Sequence, residues 1–205
     1  MPGPMNTSPR LRPNIIKKGN TMPIPGIRGM EHVGITVPDI NQACDFFTNI
    51  LGAEVLFTAA TDFKGEGDWM ADHLNVHPRA EIKEFRYVRL GNGTNLEVFQ
   101  FTAPDQNTDG PLKNSDIGGH HMAFYVDDMA AAIAFLRANN VKVLGEPTSY
   151  TDGPNLGLTW CYFMAPWGLQ LEIVSAPKGT TFDNDAKAAG RRRLFDPSRA
   201  AETLI

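Results

Sequence analysis

The chain has 205 residues, 42% of them hydrophobic and 20% charged, with a formal net charge of -4. That length suits one domain or two small ones with a buried core, and the acidic balance gives no electrostatic reason to expect nucleic acid or an anionic membrane as partner. No run approaches the roughly 18 apolar residues of a bilayer span, and no apolar signal segment opens the chain, so the expectation is a cytoplasmic protein with a small-molecule partner.

Residues 1–28 carry six prolines, at positions 2, 4, 9, 13, 23 and 25. Proline lacks an N–H and fixes φ, so this N-terminal arm reads as extended and partly disordered. Residues 29–103 form a first module. A strand is expected over 30–37, then a helix over about 41–51 opened by Pro38-Asp39 and ended by Gly52, then a strand over 53–59. Residues 60–80 are an insertion in which 67–76 makes a short helix stopped by Pro78. Strands over about 82–90 and 94–101 follow, joined by a Gly91-Asn92-Gly93 hairpin turn. Residues 104–117, rich in Pro, Gly, Asp and Asn, form a linker.

The second module, 118–176, repeats this order: a strand over 119–126, a helix over 129–139 with Asp127-Asp128 at its N-terminal end, and strands over about 141–145, 157–164 and 169–175. Residues 177–205 form a tail whose Arg191-Arg192-Arg193-Leu194-Phe195 run reads as solvated or subunit-docking. Cys44 and Cys161 have no metal-type spacing and are expected to be reduced and buried.

The repeat is visible residue by residue. His32-Val-Gly-Ile-Thr-Val-Pro-Asp-Ile reappears 89 residues later as His121-Met-Ala-Phe-Tyr-Val-Asp-Asp-Met, and Leu96-Glu97-Val98 is matched 75 residues later by Leu171-Glu172-Ile173. Side chains alternate faces along a strand, so Val33, Ile35 and Val37 pack inward while His32, Gly34 and Thr36 face the other way. Met122, Phe124 and Val126 likewise pack inward while His121, Ala123 and Tyr125 face the other way. Both glutamates project away from their apolar neighbours. Taken singly, a strand histidine or glutamate is more often structural or solvated than functional. Four of them at repeat-equivalent positions argue for one shared site. Imidazole with carboxylate suits one divalent metal ion, Zn, Ni, Co, Mn or Fe. His120 has the opposite parity to His121 and is expected beside the site or at the surface, and His73 and His77 are expected to be solvated.

These residues and this element order resemble the vicinal oxygen chelate superfamily, the glyoxalase/bleomycin resistance/dioxygenase fold. The resemblance implies an α+β architecture in which two βαβββ modules form a cupped mixed β-sheet around a metal site. It implies His32, Glu97, His121 and Glu172 as metal ligands, with Glu172, or Glu97 by pseudo-symmetry, leaving the metal to serve as the catalytic base. Glu81 or Glu84 is an alternative base, and Phe57, Trp69, Met70, Phe99, Phe101 and Trp160 are candidate apolar walls or packing residues. Extradiol dioxygenases and fosfomycin enzymes resemble each other in using a His, His, Glu triad, so the fourth ligand points toward isomerase-type relatives. Bacterial glyoxalase I has glutathione-binding arginine and asparagine where this chain has Thr36 and Phe101.

The implied function is therefore a metal-dependent isomerase, epimerase or lyase acting on a small oxygenated carbonyl compound by metal-stabilised enolate or enediolate chemistry, without glutathione. The alternatives are a ring-cleaving dioxygenase with Fe(II) and a bleomycin-resistance-like binding protein. A homodimer is expected, with the site forming either within one chain or across two.

Overall fold

The computed structural model describes residue 24, residues 29–91 and 94–192, and residue 195. The chain divides into two units, Met1–Met30 and Glu31–Ile205. Nearly all of the proline-rich arm lies outside the described residues, as do Asn92 and Gly93 of the expected hairpin turn and Arg193 and Leu194 of the tail. Every element below belongs to the second unit.

The first module runs β1 (His32–Thr36), α1 (Ile40–Asn49), β2 (Glu54–Phe63), α2 (Trp69–Leu74), β3 (Glu81–Arg89) and β4 (Asn95–Thr102). The second runs β5 (Met122–Tyr125), α3 (Met129–Ala138), β6 (Val143–Ser149), β7 (Thr159–Met164) and β8 (Gln170–Ser175), followed by α4 (Thr181–Ala188). Each module makes its own four-stranded mixed sheet, in the orders β1-β4-β3-β2 and β5-β8-β7-β6. In both, the first strand pairs parallel with the last and the other ladders are antiparallel. The expected α+β arrangement of two repeated modules is thus present.

Local chemistry explains the helices. The Asp39 carboxylate accepts from the backbone N–H groups of Asn41 and Gln42 at 2.9 and 3.0 Å and caps α1, and Asp128 caps α3 by accepting from Ala131 N at 3.0 Å. An aspartate in this place satisfies an otherwise orphaned donor. Apolar Ile40, Ala43, Cys44, Phe46 and Phe47 recur at helical spacing and are buried, which turns one stripe of α1 into the core.

Several boundaries differ from expectation; β5, for one, begins at Met122 and not at 119. The insertion helix stops at Asn75, which takes the left-handed conformation at φ 53°, rather than at Pro78. Strand β2 continues to Phe63, with register shifts along its ladder to β3. Strand β6 reaches Ser149 through Pro147, which an edge strand tolerates because one row of its N–H groups is unpaired. In the tail, an unexpected helix, α4, is opened by a reciprocal capping box between Thr180 and Asp183. No helix among the described residues is long and apolar enough to cross a membrane.

One core joins the modules. Phe46 and Phe47 of α1 each meet the Trp167 ring, in the turn between β7 and β8, edge-on with centroids 5.7 Å apart. Leu96, Val98, Leu171 and Ile173 belong to the same cluster. Phe47 is fully buried, so Phe47→Ala is expected to lower stability by about 3–5 kcal/mol. Urea denaturation with unchanged slope would read this out, and a loss under about 1 kcal/mol would show that the helix does not anchor this core.

Candidate active site

Strand register places the chemistry. Gly34 of β1 lies opposite Glu97 of β4, and Ala123 of β5 opposite Glu172 of β8. His32 and His121 stand two residues earlier, on the same faces as those glutamates. In the first module His32 Nε2 lies 3.1 Å from Glu97 Oε2; in the second His121 Nε2 lies 3.0 Å from Glu172 Oε2. The glutamate side chains are largely covered, at 15% and 12% exposure, and the histidines more open, at 39% and 34%.

The structure brings these four residues together as two pairs. Leu96, Val98, Leu171 and Ile173 point into the shared core, so alternation turns the His/Glu face of each sheet away from that core. Among the described residues no group of three or more His, Cys, Asp or Glu side chains is placed to hold an ion.

Two further features were missed in the sequence. The Glu31 carboxylate sits 2.5 Å from His32 Nδ1 and accepts from Asn95 Nδ2 at 3.2 Å. A tyrosine also stands across the ladder from each glutamate: Tyr87 of β3 opposite Glu97 and Tyr162 of β7 opposite Glu172. Their rings meet His32 and His121 edge-on, with centroids 6.2 and 5.1 Å apart. Hydrogen bonding to Glu97 pushes the Tyr87 phenol up to about 12, whereas burial and then the Glu172 charge raise that of Tyr162. The signal was available, because Tyr87 and Tyr162 have the same 75-residue offset as the glutamates.

The apolar candidates divide. Phe57 stacks on Tyr87 at 4.8 Å, Phe99 on Phe85 at 4.8 Å, and Phe101 tilts against Phe99 at 5.4 Å, so these three wall the first glutamate's face. Trp160 meets Tyr162 at 5.2 Å on the face of Glu172. Met70 is fully buried with Ala80 and Ile82, a packing role, and Trp69 stacks on His73 and meets Phe63. Glu84 accepts from Arg86 Nε at 2.6 Å and Glu81 pairs with Lys64 at 2.7 Å, so the two alternative carboxylates are held by cations. The His120 ring meets Gly118 O at 3.3 Å, and the His77 ring accepts from Arg79 N. A separate cavity of about 600 Å³ lies where the linker crosses the end of β1, lined by Thr36, Gln100, Phe101, His120 and Trp167 among others, and by none of the four paired residues.

The donor set fits a metal ion. Two donors each about 2.1 Å from one ion, at tetrahedral or octahedral angles, lie about 3.0 to 3.4 Å apart, the spacing found within each His/Glu pair. Hydrogen bonding to Glu31 raises the pKa of His32 above its ordinary value. Its imidazolium therefore persists to higher pH, and a metal must displace the Nε2 proton. Metal uptake by the metal-free protein is expected to weaken as pH falls through that raised value. A titration with zinc at several pH values checks this, and pH-independent uptake would contradict it.

Residues 31–162 match the family model described as Glyoxalase/Bleomycin resistance protein/Dioxygenase superfamily. The chain belongs to this superfamily, whose members generally bind a divalent metal. It is 45% identical over 175 residues to a 2-epi-5-epi-valiolone epimerase of Actinomyces sp, spanning 85% of this chain and 91% of that protein. It is 30% identical over 126 residues to the mitochondrial methylmalonyl-CoA epimerase of Bos taurus, spanning 60% of this chain and 61% of that protein. A glyoxalase family protein from Bacillus cereus has the same fold, with a TM-score of 0.60 at 19% identity over 76% of this chain and 98% of that one. Within the expected group of isomerases, epimerases and lyases, the relatives support an epimerase of this superfamily.

Proposed function

We propose that this chain is a divalent-metal-dependent epimerase that inverts a stereocentre beside the carbonyl of a hydroxylated ketone of the valiolone kind. Its site would be shared between two copies, His32 and Glu97 from one and His121 and Glu172 from the other. The observation that carries the substrate class is the 45% identity to the valiolone epimerase over most of both chains. By their names, the substrates of both curated relatives are a ketone and a thioester, compounds whose C–H beside the carbonyl is acidic enough for a carboxylate to remove once the carbonyl is polarised.

The pairing of copies is supported by the division of the four donors. Each sheet offers two donors at ligand spacing, and the packing of α1 on Trp167 turns the two faces away from one core. A symmetric dimer that matches the first face of one copy to the second face of the other generates two equivalent four-donor sites.

Bound there, a divalent ion supplies Lewis acidity to the carbonyl oxygen of the substrate. The chain's own residues do the rest. The ionised carboxylate of Glu172 takes the proton from one face of the carbon, and Glu97, brought opposite by the second copy with its carboxyl protonated, delivers that proton to the other face; Glu172 ends protonated and Glu97 ionised, and exchange with solvent resets both. Phe57, Phe99 and Trp160 exclude water around the reacting carbon and present flat apolar surface to the C–H faces of a ring. The two cysteines, buried and unpaired, suit the reducing cytoplasm.

Incubation of the metal-loaded protein with 2-epi-5-epi-valiolone in D2O, followed by proton NMR, tests the reading. Loss of one C–H signal beside the carbonyl, with growth of a second epimer, is expected, and a chelator should stop both. Unchanged spectra from metal-saturated protein would overturn the substrate class.

A further inference from the structure

The two repeat-equivalent halves are not equally braced. In the first, Asn95 Nδ2 donates to Glu31 at 3.2 Å and the Glu31 carboxylate lies 2.5 Å from His32 Nδ1. Nε2 of the same ring is thereby turned to Glu97. In the second, the residue equivalent to Glu31 is His120 and the residue equivalent to Asn95 is Gln170. The His120 ring turns to Gly118 O at 3.3 Å. Among the described residues the one ion pair of His121 is to Glu172, through Nε2. A chain of side chains Asn95, Glu31, His32, Glu97 thus exists in one half and stops at His121 and Glu172 in the other.

We propose that Glu31, held by Asn95, is a positioning residue for the metal centre: it fixes the His32 ring with Nδ1 satisfied and Nε2 free to ligate, making the first module the firmer-holding half of the site. This rests on the reading that the His/Glu pairs hold a divalent ion. A ring N–H donated to a carboxylate sets the tautomer and orientation of the imidazole and strengthens its other nitrogen as a donor, and removing such a partner typically weakens metal affinity 10–100-fold. The Glu31 side chain is 68% exposed, so its charge acting from a distance is screened by water and its effect depends on the direct contact.

The test is zinc affinity of the full chain, measured by competition with a chromophoric chelator, for the wild type and the variants Glu31→Ala, Glu31→Gln and His120→Ala. The glutamine keeps an acceptor oxygen for Nδ1 and the alanine keeps none. Glu31→Ala is expected to bind zinc about 10–100-fold more weakly, Glu31→Gln to recover part of that loss, and His120→Ala to stay within about threefold of the wild type. The same thermal midpoint for all four metal-free proteins would place the effect on the site rather than on folding. Equal affinity of Glu31→Ala and wild type overturns the positioning role alone, as does an equal loss in His120→Ala. A wild type that takes up no zinc overturns this role together with the metal centre beneath it.

Discussion

Glu172→Gln is expected to lower the rate of epimerisation by about 10²–10⁴-fold, the usual contribution of a positioned general base. The amide occupies the same volume and keeps an oxygen that can face the ion, but it accepts no proton. The side chain is 12% exposed beside Tyr162, so no bulk-water base takes its place. Glu97→Gln should lose inversion to a similar degree, since inversion needs a proton to leave one face and arrive at the other. The two variants differ in a second readout. Each keeps one carboxylate, so each should still exchange the proton of one epimer with D2O while retaining its configuration, and the two variants should do so for opposite epimers. Exchange rates at metal saturation, measured separately from each epimer, check this. Wild-type inversion in either variant would remove that glutamate from the mechanism.

Much of the chemistry was legible in the chain. The repeat offsets of 89 and 75 residues located both His/Glu pairs, and strand parity gave their faces, because Leu96 and Val98, or Leu171 and Ile173, leave a glutamate between them only one direction to point. What parity does not encode is how two sheets sit against each other. That depends on Phe46 and Phe47 meeting Trp167, contacts between residues 121 and 120 positions apart that no local pattern announces. So the sequence implied four donors without showing that one chain offers them as two pairs.

Other omissions were readable. Tyr87 and Tyr162 share the glutamates' offset, and they look like ordinary strand aromatics until the ladders set them opposite Glu97 and Glu172. Thr180 and Asp183 stand at capping-box spacing, and α4 begins between them at Thr181, although the charged tail beyond reads as solvated. Glu31 shows no repeat signature at all, because its counterpart is His120; only the 2.5 Å contact reveals it.

The measurement that reaches the central claim most directly is complementation between two inactive variants. His32→Ala removes a donor from the first face and His121→Ala from the second, and each variant alone should lose metal and activity. When the two are unfolded together and refolded as a mixture, a site built from two copies has a specific consequence. In each mixed dimer one site carries both substitutions and the other carries neither. With random pairing, half the dimers are mixed, so the mixture should recover about one quarter of wild-type activity and of its bound metal. A site formed within a single chain leaves every site with one substitution. A mixture as inactive and metal-free as its parents would therefore contradict the shared centre.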